Sequence, residues 1–112
     1  MNIIQYTTPS LAFLIPGKDL RSTNVNVRFV QHIGGSLSTH VVDVTVSSGN
    51  ISYANSSTTI TVPLTQLQTG GFEPGPVEVQ ADWIASGGNR EATFVSVISM
   101  NRNLYDEVRT YA

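Results

Sequence analysis

The stretch that decides the fold class is VEVQADW, residues 77–83. Its apolar members are Val77, Val79, Ala81 and Trp83, and they alternate with acidic or amide side chains. Successive side chains of a β-strand point to opposite faces of a sheet, so this period of two predicts a strand with one dry face and one wet face. The same alternation places the side chain of Trp83 in the core.

Similar short runs recur along the chain and are separated by turn-forming residues. Apolar or β-branched residues alternate with polar ones, or cluster, at 25–29, 42–46, 51–54, 58–62 and 94–100. Turn signals rich in Gly and Ser occur at 34–36, 47–50 and 86–89. The last of these predicts a hairpin loop. Because the run 94–100 is apolar on both faces, we expect it to lie in the interior of a sheet or against a partner.

About seven strands with turn signals every roughly 8–12 residues are typical of a β-sandwich. We therefore predict an all-β fold, an antiparallel immunoglobulin-like β-sandwich of about seven strands, formed as a single domain by residues 1–112. A β-barrel is the alternative. Residues 64–67 allow one helical turn at most, and residues 68–76 are expected to form a crossing loop. Residues 1–9 are expected to form an arm or an added edge strand.

Composition excludes several classes of function. The 112 residues include no cysteine, and 12% are charged, with a formal net charge of -2. Disulfides and thiolate metal sites are therefore excluded, and without a basic footprint we expect no nucleic-acid partner. The longest apolar run, residues 11–15, is far shorter than the ~20 residues of a membrane-spanning helix and lacks the flanks of a signal peptide. We thus expect no membrane partner, and synthesis in a cytoplasm.

Titratable side chains offer no convergent cluster. His32 and His40 flank a predicted turn, with Asp43 as the nearby carboxylate. We expect both histidines on the polar sides of their strands, at the surface, rather than on a metal. Glu78 and Asp82 share one face of a strand about 13 Å apart, further than the about 5–9.5 Å between glycosidase carboxylates. We predict no catalytic, cofactor-binding or metal-binding residue, and no enzymatic activity.

Aromatic and apolar side chains near turns and chain ends are the candidates for partner contact. Exposed rings among many hydroxyl and amide groups suit either protein packing or glycan stacking. A glycan-binding module would use Tyr53, Trp83 and Tyr105 as stacking residues, although the alternation favours Trp83 as a core residue. The predicted contact residues are Ile3, Ile4, Tyr6, Tyr53, Tyr105 and Tyr111.

Five segments in the second half of the chain carry a family resemblance. They are LTQLQT (64–69), FEPGPVEVQ (72–80), DW (82–83), REAT (90–93) and NLYDEV (103–108). Together they resemble the small immunoglobulin-like domains of bacteriophage virion proteins from Gram-positive hosts. They are similar in particular to the N-terminal domain of upper baseplate proteins, with its Leu-Thr-x-x-x-Thr turn and Phe-x-x-Gly loop. The resemblance covers roughly residues 17–108.

The resemblance implies a structural role without catalysis or cofactor. Upper baseplate proteins continue into a stalk, whereas this sequence stops at Ala112, so we expect an accessory or connector subunit. Its place would be the baseplate, tail, collar, head fibre or capsid surface of a virion assembled in a bacterial host. The implied partners are other virion proteins and further copies of the chain. The alternative is a module that binds cell-surface glycan or a receptor.

Overall fold

The computed structural model describes residues 1–32, 39–85, 87–93, 95–105 and 107–109. This part of the chain forms nine strands, one short α-helix and a single 3-10 turn at Ser48–Asn50. The helix α1 spans Gln66–Gly70. The strands are β1 (Asn2–Ile4), β2 (Ser10–Pro16), β3 (Val25–His32), β4 (Thr39–Val46), β5 (Ile51–Ala54), β6 (Ser57–Pro63), β7 (Gly75–Ile84), β8 (Arg90–Ala92) and β9 (Ser96–Asn101).

The strands form two sheets that pack as a sandwich. The larger sheet has the order β1-β9-β7-β3-β4, with β8 also paired to β7, and the smaller sheet has the order β2-β6-β5. All pairings between the described strands are antiparallel except that of β1 with β9. This is the strand order of immunoglobulin domains, with sheets G-F-C-C′ and B-E-D. The predicted all-β sandwich is confirmed, with nine described strands rather than about seven.

Two of the strands, β2 and β8, lack the alternating pattern that predicts a strand. Residues 10–16 are almost entirely apolar, so β2 has no period of two to detect, and β8 is only three residues long. Residues 1–9 were expected to form either an arm or an added edge strand, and β1 is an added edge strand. β9 lies between β1 and β7, which confirms an interior position for the part of the run 94–100 that the structure describes. Phe94 and the predicted turn at 34–36 lie outside the described residues.

One hydrophobic core fills the space between the sheets. The four apolar residues of the 77–83 stretch all face it, and Trp83 is 4% exposed, so the prediction of a core tryptophan is confirmed. Its indole nitrogen donates to Glu91 Oε1 at 2.9 Å. The largest fully buried side chains come from both sheets and from the loop after α1, and are Phe29, Phe72, Ile60 and Met100.

The turns follow from local sequence. Asn55 and Ser56 both have positive φ, 54° and 59°, as a two-residue type I′ hairpin between β5 and β6 requires. A capping box begins α1: the Thr65 hydroxyl accepts from the Gln68 amide, and the Gln68 side chain accepts from the Thr65 amide. The helix is slightly longer than the one turn expected, and together with β7, which begins at Gly75, it shortens the predicted crossing loop to residues 71–74. Across the described ranges, no helix is long and apolar enough to cross a membrane.

A hairpin joins β7 and β8, and residues 87–89 of the predicted loop lie in it, whereas Ser86 lies outside the described residues. The Ala85 amide donates to the Asn89 carbonyl at 2.7 Å, and the Gly88 amide donates to the Ala85 carbonyl at 3.0 Å. Gly87 and Gly88 have positive φ, 95° and 86°, which glycine adopts without steric cost. This hairpin brings Glu91 back to the Trp83 indole.

Candidate partner-binding surfaces

The predicted contact residues divide between the surface and the core. Ile3 is 3% exposed and packs in the core, because the parallel pairing with β9 turns its side chain inward beside Met100. Ile3 is therefore a core residue and is not on the surface that a partner could contact. Its neighbour Ile4 is 49% exposed on the edge strand β1. Tyr111 lies outside the described residues.

Tyr6 and Tyr105 line one shallow groove, of about 350 Å³. Tyr6 has a φ of 58°, a left-handed conformation that bulky residues rarely adopt, and its ring packs so closely on Gly70 that a Cβ there would collide with it. Tyr105 is exposed. Other residues of the groove come from α1 and from the segments beside the two tyrosines, and include Gln66, Asn103 and Arg109.

Glutamine side chains hold the walls of this groove together. The Gln66 amide donates to the Arg109 carbonyl at 2.6 Å and accepts from the Arg109 backbone amide at 2.8 Å. In the same way Asn103 is bound to Gln5: its side chain donates to the Gln5 carbonyl at 2.9 Å, and its backbone amide donates to Gln5 Oε1 at 3.3 Å. These bonds join segments that are far apart in sequence, so the groove is a fixed feature of the surface.

Tyr53 lies away from this groove, on β5 of the smaller sheet. The guanidinium of Arg21 stacks over its ring, 5.0 Å from the ring centroid. The ring of Tyr105 is covered in the same manner by Arg109, at 5.1 Å. Each of these two tyrosines therefore has one ring face occupied by an arginine of the chain itself.

The outer face of the smaller sheet carries no charged side chain. Leu11, Ile15, Ile60 and Val62 point into the core, so the alternate residues of β2, β6 and β5 point outward. Leu14, at 66% exposure, is the largest of them. We call this surface the uncharged face; it consists of Ser10, Ala12, Leu14, Pro16, Ser52, Ala54, Ser57, Thr59, Thr61 and Pro63.

The outer face of the larger sheet is charged and its charges are paired. Arg28 lies directly opposite Asp43 and donates to both carboxylate oxygens, at 2.7 and 2.9 Å. These hydrogen bonds hold the pKa of the Asp43 carboxyl below its usual range. Arg90 binds Asp82 at 2.7 Å beside this pair. The two faces of the sandwich therefore differ sharply in polarity.

The carboxylates considered for catalysis are separately engaged. Asp82 binds Arg90, and Glu78 lies 3.5 Å from the His32 ring. Over the described ranges, no three His, Asp or Glu side chains come together as metal ligands.

The two histidines lie on opposite faces of the larger sheet. His32 is opposite Thr39 and exposed, as predicted, but His40 is opposite Gln31, which faces the core. The prediction of a surface position is therefore wrong for His40. Its ring packs edge-on against Phe72 with centroids 4.5 Å apart, and its Nε2 is buried without a hydrogen-bond partner among the described residues. His40 is two residues before the buried Val42 on β4, so the alternation of side chains already indicates that both point to the same face.

No protein-family model matches this chain, and no curated protein is significantly similar to it.

Proposed function

We propose that the chain is a non-enzymatic structural subunit of a bacteriophage particle, an accessory or connector protein that binds neighbouring virion proteins. Its contacts would be the free edges of the sandwich, the uncharged face and the groove at Tyr6 and Tyr105. The proposal combines the resemblance of residues 64–108 to phage immunoglobulin-like domains with the distribution of polarity over the surface.

The observation that carries the proposal is the uncharged face with its adjoining edge strand β2. A soluble sheet that stays alone usually protects its edges with lysine, proline or inward-pointing charge. The only such residue in β2 is Pro16, at its end, while Leu14 is 66% exposed in the middle. A surface of this composition fits burial against another protein, because the core of an interface is depleted in charge.

The groove at Tyr6 and Tyr105 supports a second contact. Tyrosine contributes a large apolar ring with a polar tip, and such residues are enriched in interfaces. The bonds from Gln5 and Gln66 fix the groove before any partner arrives, so little entropy would be lost there on binding. Ile4, exposed on the edge strand β1, is available to a partner in addition.

The test is quantitative mass spectrometry of purified particles of the phage that encodes the chain. A few to a few tens of copies per particle would support a place in the tail, baseplate or collar. Hundreds of copies would support a capsid or decoration protein. Absence of the chain from particles that contain their other structural proteins would overturn the proposal.

A glycan-binding role has less support from the geometry. Trp83, the strongest stacking candidate, is buried, and Tyr53 and Tyr105 each have one face covered by arginine. Titration with wall polysaccharide of a Gram-positive host, followed by calorimetry, tests this role directly. Binding that Tyr53→Ala or Tyr105→Ala abolishes would favour the glycan function over the structural one.

A further inference from the structure

Strand β2 has an open edge in the part of the chain that the structure describes. Within the described part of the chain it pairs only with β6, although it runs for seven residues. In the immunoglobulin arrangement A-B-E-D, a first strand A covers this edge of strand B. Here β1 pairs with β9 of the other sheet instead, so the place of strand A beside β2 is left unfilled by β1.

The backbone groups that point out from this edge can be identified. The Gly17 amide donates to the Ser56 carbonyl, and the Leu64 amide donates to the Pro9 carbonyl, each at 2.9 Å. In an antiparallel ladder, hydrogen-bonded and non-hydrogen-bonded pairs alternate. The odd-numbered residues of β2 therefore bond to β6, and the amides and carbonyls of Ser10, Ala12 and Leu14 point away from the sheet.

We propose that two copies of this chain associate through antiparallel pairing of their β2 strands about a twofold axis at Phe13. The proposal rests on the structural role proposed above and names the partner of this edge. The dimer would contain one continuous sheet, β5-β6-β2-β2-β6-β5, and would join the two uncharged faces into a single larger one.

A second copy fits because β2 is complementary to itself in this register. Pairing about Phe13 overlaps the whole strand and sets Ala12 opposite Leu14, a small residue opposite a large one, on the uncharged face. It also makes Ala12 and Leu14 hydrogen-bonded pairs, for about six intermolecular bonds in all. On the core side, Leu11 would lie opposite Ile15.

The side chains of β2 do not repel one another in this pairing. β2 has no charged residue, so antiparallel self-pairing brings no like charges together. Phe13 points toward the core yet is only partly buried, beside a cleft of about 280 Å³ that has both apolar and polar lining residues, among them Val79, Ala81, Gln80 and Thr93. The Phe13 ring of a second copy would lie next to this cleft and could contact its apolar residues.

Two paired strands bury less than the about 1,200–2,000 Å² of a standard stable interface, so the isolated dimer is expected to be weak and concentration-dependent. The first experiment is sedimentation equilibrium of the purified full chain over a dilution series, with Leu14→Lys and Thr59→Lys as matched variants. Leu14 and Thr59 are cross-strand neighbours on the uncharged face, but only Leu14 is on the edge strand.

We expect the wild type and Thr59→Lys to dimerise, and Leu14→Lys to weaken dimerisation at least tenfold, because the two introduced lysines would be diagonal neighbours of like charge across the new strand pair, and lysine on an edge strand opposes pairing. Ala12→Pro should have the same effect, since it removes an outward-pointing amide without a role in the β6 ladder. A wild type that stays monomeric up to about 1 mM, the weak limit of specific association, would overturn the proposal. So would a dimer that both edge variants leave intact.

A cysteine cross-link tests the register, because the native chain contains no cysteine. With the axis at Phe13, two copies of Phe13→Cys would face each other as a non-hydrogen-bonded pair, about 4.5 Å apart at Cα, and should oxidise to a covalent dimer. Two copies of Ala12→Cys would be diagonal neighbours about 7–8 Å apart and should not. Cross-linking of Ala12→Cys in preference to Phe13→Cys would overturn the register.

These measurements separate the two proposals. The dimer is tested with purified protein and does not require a virion, whereas the structural role is tested by counting copies in particles. A dimer formed by a chain that is absent from particles would contradict the structural role alone. A monomer present in particles would contradict the dimer alone.

Discussion

The side chain of Gln31 exchanges two hydrogen bonds with the backbone of Glu73. Its amide nitrogen donates to the Glu73 carbonyl at 2.7 Å, and its carbonyl oxygen accepts from the Glu73 amide at 2.7 Å. Gln31 is buried at the end of β3 and so acts as one additional rung of the sheet. This rung fixes the loop 71–74 that leads from α1 into β7.

Replacement of Gln31 by leucine should therefore destabilise the fold well beyond an ordinary polar substitution. The variant keeps a side chain of similar size but leaves an amide and a carbonyl of the loop without their partner. We expect a loss of about 2 kcal/mol in the free energy of unfolding, measured by urea denaturation. The matched control is Gln80→Leu, since the Gln80 amide makes one exposed bond to the Thr93 carbonyl. A control change of about 0.5 kcal/mol or less is expected; equal losses in the two variants would contradict this role of Gln31.

The core side of β3, β4 and β7 was predictable from the sequence, because apolar residues alternate with polar ones along each of them, but the two polar residues that face the core, Gln31 and His40, do not stand out in that alternation. Gln31 has the parity of Val25, Val27 and Phe29, and it faces the core with them. The parity of His40 likewise matches the inward valines of β4. A polar residue at the end of a buried row is easily assigned to the surface, because alternation gives its direction but not the partner that satisfies it.

Long-range pairing was beyond the sequence. The edge strand β1 was anticipated as one of two options, but its parallel pairing with β9 joins residues nearly a chain length apart. That pairing places the Ile3 side chain in the core, and it keeps β1 away from the edge of β2. The groove between Tyr6 and Tyr105 depends on the same closure, since Gln5 binds Asn103 only when β1 lies beside β9. No local pattern carries such information.

A tight contact between His40 and Gly71 gives the second prediction. Gly71 ends α1 with φ −75°, which any residue adopts, but a Cβ there would collide with the His40 ring. We expect Gly71→Ala to cost about 1–3 kcal/mol of stability through overpacking, measured by thermal or urea unfolding.

Two further variants provide a control for the glycine substitution and test whether the His40 ring causes the loss of stability. At Gly49 a Cβ meets nothing within 4 Å, so Gly49→Ala should change stability by about 0.5 kcal/mol or less. In a double-mutant cycle, His40→Ala should remove most of the cost of Gly71→Ala. An undiminished cost in the His40→Ala background would show that the ring is not the obstacle.

The buried hydroxyl of Thr58 gives the third prediction. Its Oγ1 donates to the Lys18 carbonyl at 2.6 Å and accepts from the Leu20 amide at 3.1 Å, which ties the segment after β2 to β6. Thr58→Val preserves the shape but leaves both backbone groups unpaired, so we expect a loss of about 1–3 kcal/mol. Thr45→Val is the matched control, because the Thr45 hydroxyl donates to Asn26 in an exposed pair. Comparable losses from the two substitutions would refute the role of Thr58.

Acid sensitivity follows from carboxylates that the chain keeps ionised. Lys18, and then the Trp83 indole, donate hydrogen bonds that hold the pKa of the Glu91 carboxyl below its usual range. Arg28 lowers the pKa of Asp43, and Arg21 that of Asp19, by hydrogen bonds of the same kind. A carboxyl with a lower pKa in the folded state binds fewer protons there than in the unfolded chain. Its contribution to stability is therefore present above the unfolded pKa, about 4, and is lost as pH falls through the folded value.

These three carboxyl groups should not change the urea concentration at the unfolding midpoint between about pH 7 and 5. Below about pH 4 they should lower it. The fall should be small, because all three pairs are exposed and screened, and 1 M salt should reduce it further. Glu91→Gln keeps an acceptor for Trp83 but removes the charge that Lys18 binds, so its midpoint should depend less on pH over the acid range than that of the wild type. The fluorescence of Trp83, the single tryptophan, reports the transition in both proteins. A wild type that gains stability on acidification below pH 4, or a Glu91→Gln variant with the same acid slope as the wild type, would contradict the assignment.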